Sequence, residues 1–253
     1  MKLFFPFLFF SGALSAIAVE YDLDRPLDFK LGWIFLRTDD IYLQHQCSAA
    51  TAARHQRHAV EYIATMREKL NVTATPEVLQ IRLHANAQLY RNRMKFSRER
   101  EGHYNSSLNI LTSHCSAPEA IIEQQLILHI LRDEPLRKWQ KIFIAEVLPG
   151  NAGRPFFRSS AKAVPSPLYR VLLANHTPEK PELATLASLA RYLQKMGKLE
   201  EFALTLARDR GFDDTGMEIL ERLCGERIAA LEARLIDKAA AAKRNNTLRK
   251  LKR

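Results

Sequence analysis

The 253-residue sequence lacks several motifs that would mark familiar catalytic chemistry. It has no Gly-x-Ser-x-Gly motif, the signature of a hydrolase nucleophile elbow, and no glycine-rich phosphate loop. Only three cysteines are present, Cys47, Cys115 and Cys224, and no Cys-x-x-Cys pattern occurs. Their wide spacing predicts no particular disulfide. The spacing is equally compatible with two states: one disulfide with one free thiol, or three reduced, buried cysteines.

Long apolar runs are also lacking after the first 18 residues, so no later segment is expected to cross a membrane. The start of the chain combines a positive charge at Lys2, an apolar stretch from Leu3 to Leu14 and small residues ending at Ala18. This order predicts a secretory signal peptide in residues 1–18, and an uncleaved membrane anchor is the alternative. We therefore expect an exported protein, periplasmic or extracellular.

Acidic residues are missing from the C-terminal tail, residues 238–253, in a chain whose formal charge is +10. A tail of this kind can bind an anionic surface, or it can serve as a solvated terminus that aids solubility. No nucleic-acid-reading motif occurs, and an exported protein seldom meets nucleic acid, so nucleic acid is not an expected partner. The basic residues of the tail are Lys238, Lys243, Arg244, Arg249, Lys250, Lys252 and Arg253.

The composition, 47% hydrophobic and 26% charged, favours one folded domain over residues 19–237. Strand patterns come early, at Gly32–Arg37, Ile41–Gln44 and Val78–Leu83, and helical spacing dominates later. The class predicted is α+β, with a small N-terminal sheet, packed helices and a helical C-terminal half. Four prolines between Gly153 and Pro181 predict a long loop.

Short motifs along the chain occur in an order that resembles a known family. They are the Leu79–Leu83 strand with the helix through Tyr90, Gly102-His103-Tyr104-Asn105, Trp139 with Ile144-Ala145-Glu146, and the helices Ser188–Gly197 and Gly225–Glu232. Together they are similar to the peptidase-MA-like domains of gluzincin metallopeptidases, which are common in exported bacterial proteins. The resemblance spans roughly Trp33 to Lys238 and implies a gluzincin-like α+β fold.

Enzymes of that family hold zinc with His-Glu-x-x-His on a helix and a downstream glutamate. The resemblance places His129 at the second histidine, Gln125 at the first and Leu126 at the general base. It places Ile142 at the third ligand and Glu146 at a second glutamate of structural role. One imidazole does not hold a hydrolytic metal ion alone, so we expect no metal and no other cofactor.

A different set of metal ligands around His129 is the alternative, with Asp133 four residues on and His114 or His103 near in space. His55 and His58 are three residues apart on a helix face that we expect to be exposed and solvated. The sequence thus predicts a non-catalytic, metallopeptidase-like binding or scaffold module of the cell envelope, whose ligand is a peptide or an envelope polymer. An active metal-dependent hydrolase with relocated ligands is the competing hypothesis.

Overall fold

The computed structural model describes residues 32–73, 77–94, 101–149, 157 and 163–235. Within these ranges a mixed five-stranded sheet occupies the N-terminal half, and helices make up most of the rest. The protein is therefore an α+β protein, as the sequence predicts. The expected signal peptide (residues 1–18) and the whole of the expected C-terminal tail (residues 238–253) lie outside the described residues.

The sheet has the strand order β1-β2-β3-β5-β4. Strands β2, β3 and β5 run parallel, and β1 and β4 are antiparallel edge strands. Because β2, β3 and β5 are parallel, their carboxyl ends meet at one edge of the sheet. The strands are β1 (Ile34–Arg37), β2 (Ile41–His45), β3 (Leu79–His84), β4 (Gly102–Asn105) and β5 (Ile110–His114).

Two helices connect the parallel strands. Helix α1 (Ala49–Lys69) follows β2, and the hydroxyl of Ser48 accepts a hydrogen bond from the backbone N–H of Thr51 at its start. This N-cap satisfies one of the unpaired N–H groups of the first turn. Helix α2 (Ala87–Met94) follows β3 and packs on β3 and β5 through the fully buried ring of Tyr90.

Helix α3 (Glu119–Ile130) lies at the centre of the molecule and contacts α1, β4 and α4 (Lys138–Val147). Its apolar residues occur on nearly every side, which the sequence pattern shows and burial confirms. Trp139 on α4 is fully buried and donates its indole N–H to the carbonyl of Leu172 at 3.1 Å. This hydrogen bond ties the central helices to the C-terminal half.

The C-terminal half consists of short helices separated by turns. Gly216 adopts a φ of 69° at the start of one of them, and an added Cβ there would lie 2.8 Å from Leu206 Cδ2. Both the backbone conformation and the close packing therefore require glycine. The helices are α5 (Leu168–Leu173), α6 (Lys180–Lys195), α7 (Leu199–Arg208), α8 (Met217–Cys224) and α9 (228–235).

One expectation from the sequence is wrong within the described residues. The stretch from Gly153 to Pro181 is not a continuous loop, because it contains α5. The side chains of Leu168, Val171 and Leu172 are buried in the core, so the six-residue helix is held by tertiary packing. No helix among the described residues is long and apolar enough to cross a membrane.

Candidate functional site

The residues that the family resemblance singles out lie on α3 and α4, which pack against each other. Leu126 is fully buried in the core, and Ile142 is partly buried against the same core. Gln125 is also buried and donates its Nε2–H to Oε1 of Gln124 at 3.1 Å. Two of the five positions therefore carry apolar side chains that contribute to packing.

His129 is buried at the end of α3 and is held by Asn109, in the turn between β4 and β5. Its Nδ1 atom lies 2.8 Å from Oδ1 of Asn109, which also accepts the phenol hydrogen of Tyr104 at 2.8 Å. Because an amide oxygen only accepts, Nδ1 carries the ring proton. Burial, with a smaller contribution from Arg132, lowers the pKa of His129 to about 4, so the ring is neutral at pH 7.

A second polar contact joins α3 to α4 in the core. Gln124 donates its Nε2–H to Oε1 of Glu146, and both side chains are about 1% exposed. With Gln125, these side chains form a hydrogen-bonded chain from Gln125 through Gln124 to Glu146. A buried carboxylate requires such donors because its desolvation is costly. Glu146 thus has a structural partner on α3.

Among the described residues, the structure does not bring together the alternative set of metal ligands around His129. Helix α3 ends at Ile130, and Asp133 lies beyond it in a two-nitrogen contact with the guanidinium of Arg132. His114 lies at the end of β5, where its Nδ1 is 3.1 Å from the Ser116 hydroxyl. Within the described ranges, no three His, Cys, Asp or Glu side chains are placed to hold one metal ion.

The structure shows a group of buried histidines at the carboxyl ends of the parallel strands that the sequence pattern does not predict. His45, His84 and His114 are the last residues of β2, β3 and β5, and His84 and His114 are direct neighbours in the register. Burial lowers the pKa of all three, that of His84 to about 4. Their Nε2 atoms are buried and have no hydrogen-bond partner among the described residues. The recurrence of histidine at three strand ends was the signal available in the sequence.

The disulfide joins Cys47 to Cys115 across the same strand ends, and Cys224 is the free thiol. The carbonyl oxygen of each bridged cysteine lies close to a buried histidine ring nitrogen. Nδ1 of His45 is 3.2 Å from the carbonyl of Cys47, and Nε2 of His55 is 3.0 Å from that of Cys115. Since carbonyls only accept, these two nitrogens carry the protons. The disulfide and its neighbouring imidazoles are thus joined by hydrogen bonds at the strand ends.

The expectation that His55 and His58 are solvated is wrong for His55. His55 is only 3% exposed and is bonded to the strand-end layer. His58 is partly exposed, and its Nε2 atom lies 3.1 Å from Oε1 of Glu123 on α3. Burial raises the pKa of Glu123, while the neighbouring His58 opposes that rise. His55 in the core and the partly exposed His58, which pairs with Glu123, are therefore only one turn apart on α1.

The fold and these contacts define an α+β protein with one intrachain disulfide and two buried polar centres, one around α3 and one at the strand ends. A comparison of the chain with models of known protein families finds no match, and a comparison with curated protein sequences finds none either.

Proposed function

We propose that the protein is an exported, non-catalytic binding module on a gluzincin-like metallopeptidase scaffold. The proposal rests on the residue types and packing at the positions that would hold zinc. Leu126 and Ile142 are apolar and pack in or against the core, and neither can coordinate a metal ion or accept a proton. A catalytic zinc site needs three protein ligands with an open fourth position.

The surroundings of His129 support the same conclusion. Its Nδ1–H is bonded to Asn109, which leaves one ring nitrogen for any other contact. A single imidazole binds a metal ion far more weakly than three converging ligands do. Gln125, one turn earlier on α3, donates an amide N–H to Gln124. We infer that this region has a structural role in stabilising the α3–α4 pair.

Export is supported by two independent features. The N-terminal residues have the order of a secretory signal, and the structure contains the Cys47–Cys115 disulfide. Disulfides persist mainly in oxidising compartments such as the periplasm and the extracellular space. A peptide or an envelope polymer, bound along the surface beside α3, is the ligand class that the resemblance implies. This ligand class is inferred by analogy of fold.

Metal analysis of the purified chain from residue 19 onward tests the proposal. The protein is incubated with zinc, dialysed and assayed for bound metal and for hydrolysis of a mixed peptide library. We expect substoichiometric zinc that is unchanged in His129→Gln, and no hydrolysis above buffer. The glutamine keeps a donor for Asn109, and circular dichroism verifies that the variant folds. One tightly bound zinc per chain that disappears in His129→Gln would refute a non-catalytic role and favour the hydrolase.

A further inference from the structure

Helix α2 is attached to the sheet through a single buried ring. Of its eight residues, all of which the structure describes, only Tyr90 is buried, and it is fully buried. Its ring centroid lies 6.1 Å from that of His84 and 6.0 Å from that of His114. These histidines are direct neighbours in the parallel pairing of β3 and β5, so their side chains lie on the same face of the sheet. Tyr90 therefore covers both imidazoles at once.

Both imidazoles are buried with incomplete hydrogen bonding. His84 is 4% exposed and His114 is 2% exposed, and the Nε2 atom of each has no hydrogen-bond partner among the described residues. The ring of Trp33 makes a T-shaped contact with His84, with centroids 5.1 Å apart. Departure of Tyr90 would open the face that it covers to water. Each ring could then gain a hydrogen bond and a proton that burial denies it.

The charges that act on the two rings are mostly positive. The two histidines also act on each other, so a proton on one disfavours a proton on the other. The carboxylate that favours a charged His114 belongs to Glu101, which lies 4.0 Å from Arg91 and is shared with it. Protonated imidazoles would thus meet a positive environment while α2 is in place. The other groups that act on the two rings are Arg82 of β3, Arg91 and Arg93 of α2, and His55 of α1.

Acid therefore favours the detachment of α2. Burial lowers the pKa of both rings, that of His84 to about 4 from its ordinary value of 6.5. A ring exposed to water regains the ordinary value, so between pH 4 and 6.5 the open state binds more protons than the closed state. The equilibrium constant for opening should then rise about twentyfold between pH 7 and 5 from His84 alone.

We propose that α2 is an acid-released cover, which detaches from the sheet when His84 and His114 take up protons while the rest of the fold stays intact. Local opening of this kind breaks the contacts of one buried ring, whereas α3 is buried on nearly every side. Release exposes the surface formed by Trp33, His84 and His114 at the carboxyl ends of the strands. The cover is an element of the sheet, so it does not depend on whether α3 is catalytic.

Hydrogen exchange of the purified chain from residue 19 onward, followed by mass spectrometry at pH 7, 6 and 5, tests the proposal. Each rate is corrected for the intrinsic pH dependence of amide exchange, and circular dichroism verifies the fold at each pH. We expect the protection of the α2 amides to fall about twentyfold or more between pH 7 and 5 and to stay below that of α3 throughout.

Two variants separate local release from unfolding of the whole chain. In His84→Gln/His114→Gln the α2 protection should change less than about threefold, because glutamine does not titrate. The control His129→Gln removes a buried histidine whose pKa is also about 4 but which lies on α3. It should leave the full loss of protection in α2, since opening of the cover does not expose His129.

Three results would overturn the proposal: protection of α2 that does not depend on pH, an undiminished loss in the double variant, or a loss that His129→Gln reduces as much as the double variant does. The last would mean that α2 exchanges only when the whole chain unfolds. If the double variant does not fold at pH 7, His84→Gln alone is measured, and an undiminished loss in it has the same meaning. Zinc content plays no part in these outcomes, so this test and that of the non-catalytic role fail separately.

Discussion

Asn109 holds His129 from a turn in which Asn109 itself adopts the left-handed conformation, with a φ of 51°. Its Nδ2–H group also donates to the carbonyls of Glu77 and Val78 at 3.3 and 3.0 Å. One amide side chain therefore links α3, the β4–β5 turn and the start of β3. Asparagine tolerates this backbone conformation better than other residues with a Cβ, apart from aspartate.

Substitution Asn109→Ala should lower the free energy of unfolding by ~3 kcal/mol, because it removes these hydrogen bonds and leaves a strained backbone. Urea denaturation measures the change. Asn109→Gly, which relieves the strain without restoring the hydrogen bonds, should be about 1 kcal/mol less destabilised than the alanine variant. Equal stability of the wild type and Asn109→Ala would show that this amide is not a structural link.

Acid should destabilise the protein through its buried histidines. The pKa values of His84 and His129 are about 4 in the folded chain, against an ordinary value of 6.5. Between pH 4 and 6.5 the unfolded state binds more protons than the folded state. The stability that the neutral, buried histidines contribute is therefore complete above pH 6.5 and is lost as the pH falls toward 4. The loss is on the order of 3 kcal/mol for each histidine.

Urea titrations at pH 7, 6 and 5 measure that dependence. The variant His84→Gln/His129→Gln should show a shallower loss of stability between pH 7 and 5 than the wild type, because two groups that bind protons on unfolding are absent. Parallel pH profiles for the two proteins would mean that other groups cause the acid sensitivity.

Removal of the disulfide should be costly. The Cys47–Cys115 bridge spans a sequence separation of 68 residues, and the chain-entropy relation for a loop of that length gives about 4 kcal/mol. The variant Cys47→Ala/Cys115→Ala should unfold at correspondingly lower urea, and dithiothreitol should no longer affect its stability. Cys224→Ser leaves the bridge intact and should retain both the stability of the wild type and its sensitivity to dithiothreitol. A wild type insensitive to reduction would contradict the prediction.

The buried Gln124–Glu146 pair should show energetic coupling. Substitution Gln124→Leu deprives a buried carboxylate of a donor and should cost about 2 to 3 kcal/mol. The double variant Gln124→Leu/Glu146→Leu removes both polar groups and should lose less stability than the two single changes added together. A double-mutant cycle in urea measures the difference, and strict additivity would show that the pair does not interact.

The sequence by itself determined the α+β class and the apolar character of positions 126 and 142. These follow from local patterns, since periodicity and residue type need no distant partner.

Tertiary structure alone decided which cysteines pair and which histidines are buried. Cys47 and Cys115 meet because parallel pairing of β2, β3 and β5 places their carboxyl ends at one edge, a contact set by register across distant segments. His55 is buried because the same edge offers it the carbonyl of Cys115. Helix α5 forms because Leu168, Val171 and Leu172 are buried in the core. Such long-range contacts leave no periodic trace in the chain, and they determine the environment of each polar side chain.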